Sequence, residues 1–107
     1  MNDQPSRLER AWVFVGLGKN PHPSAVFTER RLAHEWITKN RLKGILTAYP
    51  LNVGVYDWAL AGGHFAPKDE SHASPEFIQS FSHAAQEHYH YEDEEDYETY
   101  PNPEADG

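Results

Sequence analysis

The chain alternates short apolar runs with segments rich in Gly, Pro and charge. Residues 11–15 form an apolar run of β-forming side chains, which predicts a buried strand. Residues 16–23 hold two Gly and two Pro, which is typical of a turn. Residues 25–27 then predict a second short strand, antiparallel to the first.

A helix follows, because apolar side chains recur there with helical spacing. These side chains are Leu32, Ala33, Trp36 and Ile37. Thr28 is suited to cap the first turn through its hydroxyl. Residues 45–49 predict a third strand, and residues 55–61 predict a second, short helix. Ser74 and Pro75 are typical of the start of a third helix.

These elements predict one α+β domain. We expect a small antiparallel sheet with a ββαβ core, two to three helices and a disordered acidic C-terminal tail. The length of 107 residues permits a single domain. We place a flexible N-terminus at residues 1–10, the domain at residues 11–93 and the tail at residues 94–107.

The net charge of −8 comes from one end of the chain. Eight of the 17 acidic residues lie in residues 92–107, which contain no Lys or Arg. The other nine acidic residues balance the nine basic ones. A block of like charge stays solvated and cannot build a core, so the tail is expected to be flexible. Its sign also argues against nucleic acid as a partner.

Composition excludes several classes of function and location. The chain has no Cys, which excludes disulfides, thiolate metal sites and a Cys nucleophile. The first ten residues lack the apolar run of a signal peptide, and no stretch is long enough to span a membrane. We therefore expect a cytoplasmic protein.

Asp57 lies between two aromatic residues, where it serves either as a buried acid or base or as a structural hydrogen-bonding group.

Residues 87–92 alternate with period two and predict the last strand. On a strand, the side chains of His88, His90 and Glu92 point to the same face, and this set of ligands is able to bind zinc or another divalent metal. The alternative is a polar outer face, with Tyr89 and Tyr91 packing inward. No cofactor is expected on that second interpretation.

Two motifs carry a resemblance to a known family. They are Gly54-Val-Tyr-Asp-Trp-Ala59 and Gln86-Glu-His-Tyr-His-Tyr-Glu92. With the strand order before them, they resemble a family of small bacterial domains of unknown function over about residues 11–93. The resemblance implies no catalytic or binding residues. The family usually ends soon after the second motif, so the acidic extension departs from it. The strand order of the first half is also similar to that of immunity-type proteins, which neutralise toxins.

The acidic end is the main candidate for binding. Acidic residues interleaved with Tyr are suited to dock on a basic surface, through charge and through stacking on Arg. The candidate residues are Tyr89, Tyr91, Asp93, Glu94, Glu95, Asp96, Tyr97 and Tyr100. A solubilising tail is the alternative interpretation. We therefore expect a non-enzymatic interaction module for a basic protein partner, resembling an immunity protein. The alternative is a metal-binding protein or small metal-dependent enzyme.

Overall fold

A computed structural model describes residues 9–98 of the chain. The strands and α-helices, in chain order, are β1 (Arg10–Gly16), β2 (Pro23–Phe27), α1 (Arg30–Asn40), β3 (Gly44–Pro50), α2 (Val55–Ala61), α3 (Pro75–Gln79) and β4 (His88–Tyr91). Two 3₁₀ helices, Glu70–Ala73 and Glu94–Glu98, complete the described elements; we refer to the second as the C-terminal 3₁₀ helix. No helix in residues 9–98 is long and apolar enough to cross a bilayer.

The four strands form one antiparallel sheet in the order β2-β1-β3-β4. This confirms the predicted α+β class and the small antiparallel sheet. The ββαβ order holds through β3, after which α2 and α3 intervene before β4 joins the edge of β3. The two central strands have seven residues each and pair along their whole length.

The core lies between α1 and one face of the sheet, which we call the inner face. Side chains alternate between the two faces of a strand, so every second residue points to α1. The buried side chains of this core are Trp12, Phe14, Ala33, Ile37, Leu46, Ala48, Tyr91 and Tyr97. Trp36 packs between the rings of Phe14 and Phe27, at 5.9 and 5.8 Å between centroids. The predicted position of Trp36 on the packed stripe of α1 is therefore confirmed.

Two details of α1 differ from the sequence prediction. The N-cap position is Glu29, one residue after Thr28, and no side chain caps the first turn. Leu32 is 38% exposed, because α1 is rotated so that Ala33 and Ile37 face the sheet. By contrast, the predicted start of α3 is confirmed, since the hydroxyl of Ser74 accepts a hydrogen bond from the amide of Phe77 at 3.2 Å.

A second group of packed rings, the aromatic cluster, holds residues 55–83 together. Its members are Tyr56, Phe65, His72, Phe77 and Phe81. Tyr56 is buried at its centre, and its hydroxyl donates to the carbonyl of His72 at 2.8 Å. A buried Tyr needs a partner for its hydroxyl, and this bond fixes α2 against the 3₁₀ helix that precedes α3.

The predicted domain boundaries need correction at both ends. Arg10 belongs to β1, where it pairs with Pro50, and is not part of a flexible N-terminus. The predicted tail was to begin at residue 94, but residues 94–98 form the C-terminal 3₁₀ helix and bury Tyr97 in the core. The prediction of disorder is therefore wrong for these five residues. The predictions for residues 1–8 and 99–107 lie outside the described residues.

Gly44 is a position where two strands approach too closely for any side chain. It pairs with Gly16 across β1 and β3 and is buried. A Cβ atom at Gly44 would lie 2.3 Å from the carbonyl oxygen of Val15, whereas at Gly16 it would meet nothing nearer than 3.6 Å. The two glycines thus form a matched pair for mutation.

We expect Gly44→Ala to lower the free energy of unfolding by about 1–3 kcal/mol, because the added methyl forces the strands apart. Gly16→Ala should change it by less than about 1 kcal/mol, since the methyl fits and Ala restricts the unfolded chain. Urea denaturation of both variants measures the difference. Equal losses for the two would show that the close approach at Gly44 is not the cause.

Candidate protein-binding surface

The C-terminal 3₁₀ helix is held to the domain by the side chain of Tyr97. Its ring is 6% exposed and stacks on Tyr91 at 6.2 Å between centroids. Its hydroxyl donates to the carbonyl of Leu42 at 2.9 Å, and the guanidinium of Arg41 lies 4.5 Å from the ring centre. A helix of five residues is too short to form by itself. These contacts to the end of α1 therefore hold the segment in place.

His34, on α1, bonds to both tyrosines of this contact. Its Nε2 lies 3.1 Å from the carbonyl oxygen of Tyr97, and its Nδ1 lies 2.7 Å from the hydroxyl of Tyr91. A carbonyl can only accept, so Nε2 carries the proton and Nδ1 accepts from the Tyr91 hydroxyl. Burial lowers the pKa of His34 from its ordinary value, and the positive charge of Arg30 acts in the same direction.

The two buried tyrosines are not docking residues. Tyr91 is 2% exposed, and both Tyr91 and Tyr97 direct their hydroxyls into bonds within the domain. Their prediction as binding residues is therefore corrected, because their rings supply core packing. Tyr100 lies outside the described residues.

Tyr89 is also engaged within the domain, on the inner face of β4. The guanidinium of Arg30 lies 3.6 Å from its ring centre, and its hydroxyl donates to the carboxylate of Glu87. Burial raises the pKa of the Tyr89 hydroxyl, and the bond to Glu87 adds to the effect. Glu87 in turn pairs with Arg10 at 2.9 Å. The half-buried ring of Tyr89 is thus covered by a cation on one side, and its hydroxyl is bonded within the domain.

Asp96 has a structural role within the acidic run. Its carboxylate accepts hydrogen bonds from the backbone amides of Glu92 and Asp93, each at 2.7 Å. These bonds hold the pKa of Asp96 below its ordinary value. They also close the turn between β4 and the C-terminal 3₁₀ helix, because the amides after a strand end have no ladder partner.

Basic side chains from the connection between α1 and β3 neutralise part of the acidic run. Arg41 forms an ion pair with Glu94, which lowers the pKa of Glu94. Lys43 donates to the backbone carbonyl of Glu92 at 3.0 Å. Arg41 and Lys43 both lie where the acidic run joins the rest of the domain. They hold the start of the run in place, and its outer residues face water.

Four exposed carboxylates remain on this end of the domain, and we call them the acidic surface. They are Glu92, Asp93, Glu95 and Glu98. Of the residues predicted to bind a partner, Asp93 and Glu95 are thus available, whereas Glu94 and Asp96 bond within the domain. The acids are displayed by a folded element and not by a flexible tail.

The predicted metal ligands share a region but are not gathered into a site. His88 and His90 lie side by side on the exposed face of β4, with ring centroids 5.4 Å apart. The Nδ1 of His88 donates to the carbonyl of Gln86 at 2.7 Å, and a carboxylate oxygen of Glu92 lies 3.6 Å from His90. Within residues 9–98, no three His, Asp or Glu side chains are arranged to hold a metal ion.

Asp57 is exposed in the first turn of α2, so it is not the buried acid considered above. An acidic residue at this place interacts favourably with the amides of the helix start. The structural interpretation is therefore the one that its position supports.

The match with a known family reaches into the C-terminal 3₁₀ helix, as the folded domain does. The sequence profile of a family described as "Domain of unknown function (DUF7710)" matches residues 11–97. The match includes Tyr97, the anchor of the C-terminal 3₁₀ helix. No curated protein and no solved structure shows a significant match.

We expect Tyr97→Ala to cost about 3–5 kcal/mol of unfolding free energy, because it removes a buried ring. Tyr97→Phe keeps the ring and loses the bond to the Leu42 carbonyl, which should cost about 1 kcal/mol. Glu95→Ala, on the same short helix but exposed, should stay within about 0.5 kcal/mol. Chemical denaturation distinguishes the three. A neutral Tyr97→Ala would mean that the segment contributes nothing to the fold.

The stability of the domain should fall as the pH drops below about 6.5, in part through His34. Its pKa is lowered in the folded state, so the unfolded chain binds the proton first and acid favours unfolding. The stability that His34 contributes is fully present when the pH is above its pKa in the unfolded chain. It is lost as the pH falls through the pKa of His34 in the folded protein.

His34→Gln keeps a donor for the Tyr97 carbonyl and does not titrate in this range, so its stability should fall less between pH 7.5 and pH 5. His22→Gln, at an exposed loop position, should behave as the wild type does. Parallel curves for wild type and His34→Gln would contradict the assignment.

Proposed function

The chain belongs to the family described as Domain of unknown function (DUF7710), and we propose that it is a non-enzymatic interaction module that binds a basic protein partner. The observation that carries the proposal is the acidic surface. Two of its carboxylates belong to the C-terminal 3₁₀ helix, which the buried ring of Tyr97 anchors, and the other two belong to the turn before it. The backbone that carries them is therefore fixed before any partner arrives.

Preorganisation makes such a surface a better binding element than a flexible tail. A disordered segment must be ordered on binding, and this costs about 0.5–1.5 kcal/mol for each immobilised side chain. Here the backbone of residues 94–98 is already helical, and Asp96 closes the turn before it. Only the outer ends of the side chains need to be fixed by the partner.

The charge of the surface favours a basic partner. Like charges that are held close together create a field that attracts an opposite surface and speeds its approach. The same field repels the phosphates of nucleic acid. Inhibition of a basic toxin in the cytoplasm, as by an immunity-type protein, is the form of this function that we favour. It requires shape and charge and no chemistry of its own.

The acidic surface should act mainly on the association rate. Long-range attraction between exposed charges is screened over about 8 Å at physiological salt, so a steered complex forms more slowly as salt rises. Short-range contacts set the dissociation rate and respond less to salt. A charge-neutral variant should therefore associate more slowly and depend less on salt, with an almost unchanged dissociation rate.

The experiment compares three proteins as baits for partners from the native host. The first is the wild type. The second is neutral at the acidic surface, with Glu92→Gln, Asp93→Asn, Glu95→Gln and Glu98→Gln. The third carries four neutralised, exposed acids elsewhere: Glu9→Gln, Asp57→Asn, Glu70→Gln and Glu76→Gln.

A basic protein captured by the first and third baits, and lost with the second, is the expected result. Association rates of that purified protein are then measured between about 0.05 and 0.5 M salt, where the screening length shortens several-fold. A steeper salt dependence for the wild type than for the second variant supports steering. Equal slopes for all three proteins, or a partner that is acidic, would overturn the proposal.

A further inference from the structure

The face of the sheet opposite α1, which we call the outer face, has an unusual composition. Its residues are Ala11, Val13, Val15, Val26, Ile45, Thr47, Tyr49, His88 and His90. None of them is Asp, Glu, Lys or Arg. An antiparallel sheet with one solvated face normally carries polar residues there. This one carries β-branched apolar residues across its three longer strands.

Within residues 9–98, the side chains of the outer face remain at least partly accessible to solvent. Every one of its nine residues is at least partly exposed, and Val26 is 65% exposed. The inner face is different, since Trp12, Phe14 and Leu46 on the same strands are buried. An apolar patch that spans neighbouring strands and meets water is typical of a protein–protein contact surface.

We propose that the outer face is the contact surface of a symmetric dimer, in which two copies of this chain pack sheet against sheet. The lack of formal charge on the face decides between occupants. Among its nine residues a basic partner would meet no carboxylate, although that of Glu92 lies beside His90 at the end of β4. A second copy brings no like charges together across these nine residues. In a two-fold arrangement the same patch occurs on both sides, so an apolar, uncharged patch is complementary to itself.

Residues 1–8 and 99–107 carry few large apolar side chains. By sequence, residues 1–8 and 99–107 offer Met1, Leu8 and Tyr100 as their large apolar residues. An isolated apolar side chain buries far less surface than the sheet exposes. A second sheet matches the face in extent and in spacing, since stacked sheets pack about 10 Å apart.

The size of the face sets the strength of the dimer. With strands about 4.8 Å apart and a rise of about 3.4 Å per residue, the four strands cover roughly 400 Å² per protomer. This lies at the low end for specific interfaces, where about 800 Å² per partner is usual. The dimer should therefore dissociate with a constant of about 10 μM to 1 mM, and form as the concentration rises.

The test is analytical ultracentrifugation of the full chain from about 5 μM to about 1 mM at 0.15 M salt. Val26→Lys places a charge on the outer face and should weaken dimerisation at least tenfold, since the change enters the interface twice. Leu32→Lys is the matched control, because Leu32 is 38% exposed and lies on α1, on the opposite side of the sheet. It should shift the dissociation constant by less than twofold.

A second variant distinguishes a dimer that packs through the outer face from a dimer in which the edge strands of two copies pair. Thr47 lies on β3, a central strand that offers no free edge, and its side chain is on the outer face. Thr47→Lys should therefore weaken the dimer as Val26→Lys does. Circular dichroism checks that each variant is folded, and concentration-dependent NMR shifts of the Val13, Val15 and Ile45 methyls report the contact independently.

Three outcomes would overturn the dimer. A wild type that stays monomeric to 1 mM leaves the face to some other protein. Equal weakening by Val26→Lys and Leu32→Lys places the contact elsewhere. A dimer lost in Val26→Lys but kept in folded Thr47→Lys, with unmoved methyl signals, assigns it to the free edge of β2.

Discussion

The burial of one sheet face under a single long helix is the constraint on which the rest of this domain depends. Ile37 and Ala33 of α1 are fully buried against the rings and aliphatic side chains of the inner face. Side chains alternate between the two faces of a strand, so the residues between those that point to the inner face must point to the outer face. Val13 and Ile45 are therefore on the outer face as a direct consequence of Trp12, Phe14 and Leu46 being on the inner one.

Elements with a local cause could be predicted from sequence. The apolar run at residues 11–15 became β1, and the Ser74-Pro75 pair became the cap and first residue of α3. Period-two alternation at residues 88–91 correctly placed Tyr89 and Tyr91 on the face opposite to His88 and His90. Each of these signals is contained in a few neighbouring residues. The end positions moved by one or two residues, because termini depend on hydrogen bonds that spacing does not specify.

The C-terminal 3₁₀ helix could not be predicted because its cause is non-local. In the sequence, Tyr97 is one aromatic residue within a run of acids, and such a run indicates a solvated segment. Its place in the core depends on the Leu42 carbonyl and the Arg41 side chain, more than fifty residues earlier. The spacing of Tyr91 and Tyr97 on either side of the turn was the available signal. It becomes informative only once the Leu42 carbonyl and the Arg41 side chain are known to contact Tyr97.

The acidic surface and the outer face of the sheet act over different distances. Charges at Glu95 and Glu98 act over about a screening length, before contact, and select partners by sign. The uncharged outer face has no such reach, and apolar burial stabilises a complex only once water has left the interface. Asp96 contributes to the first surface without belonging to it, because its bonds to the amides of residues 92 and 93 fix the turn that presents the other acids. On the two proposals made above, one short domain would choose a partner through its acidic surface and associate with its own copy through the outer face.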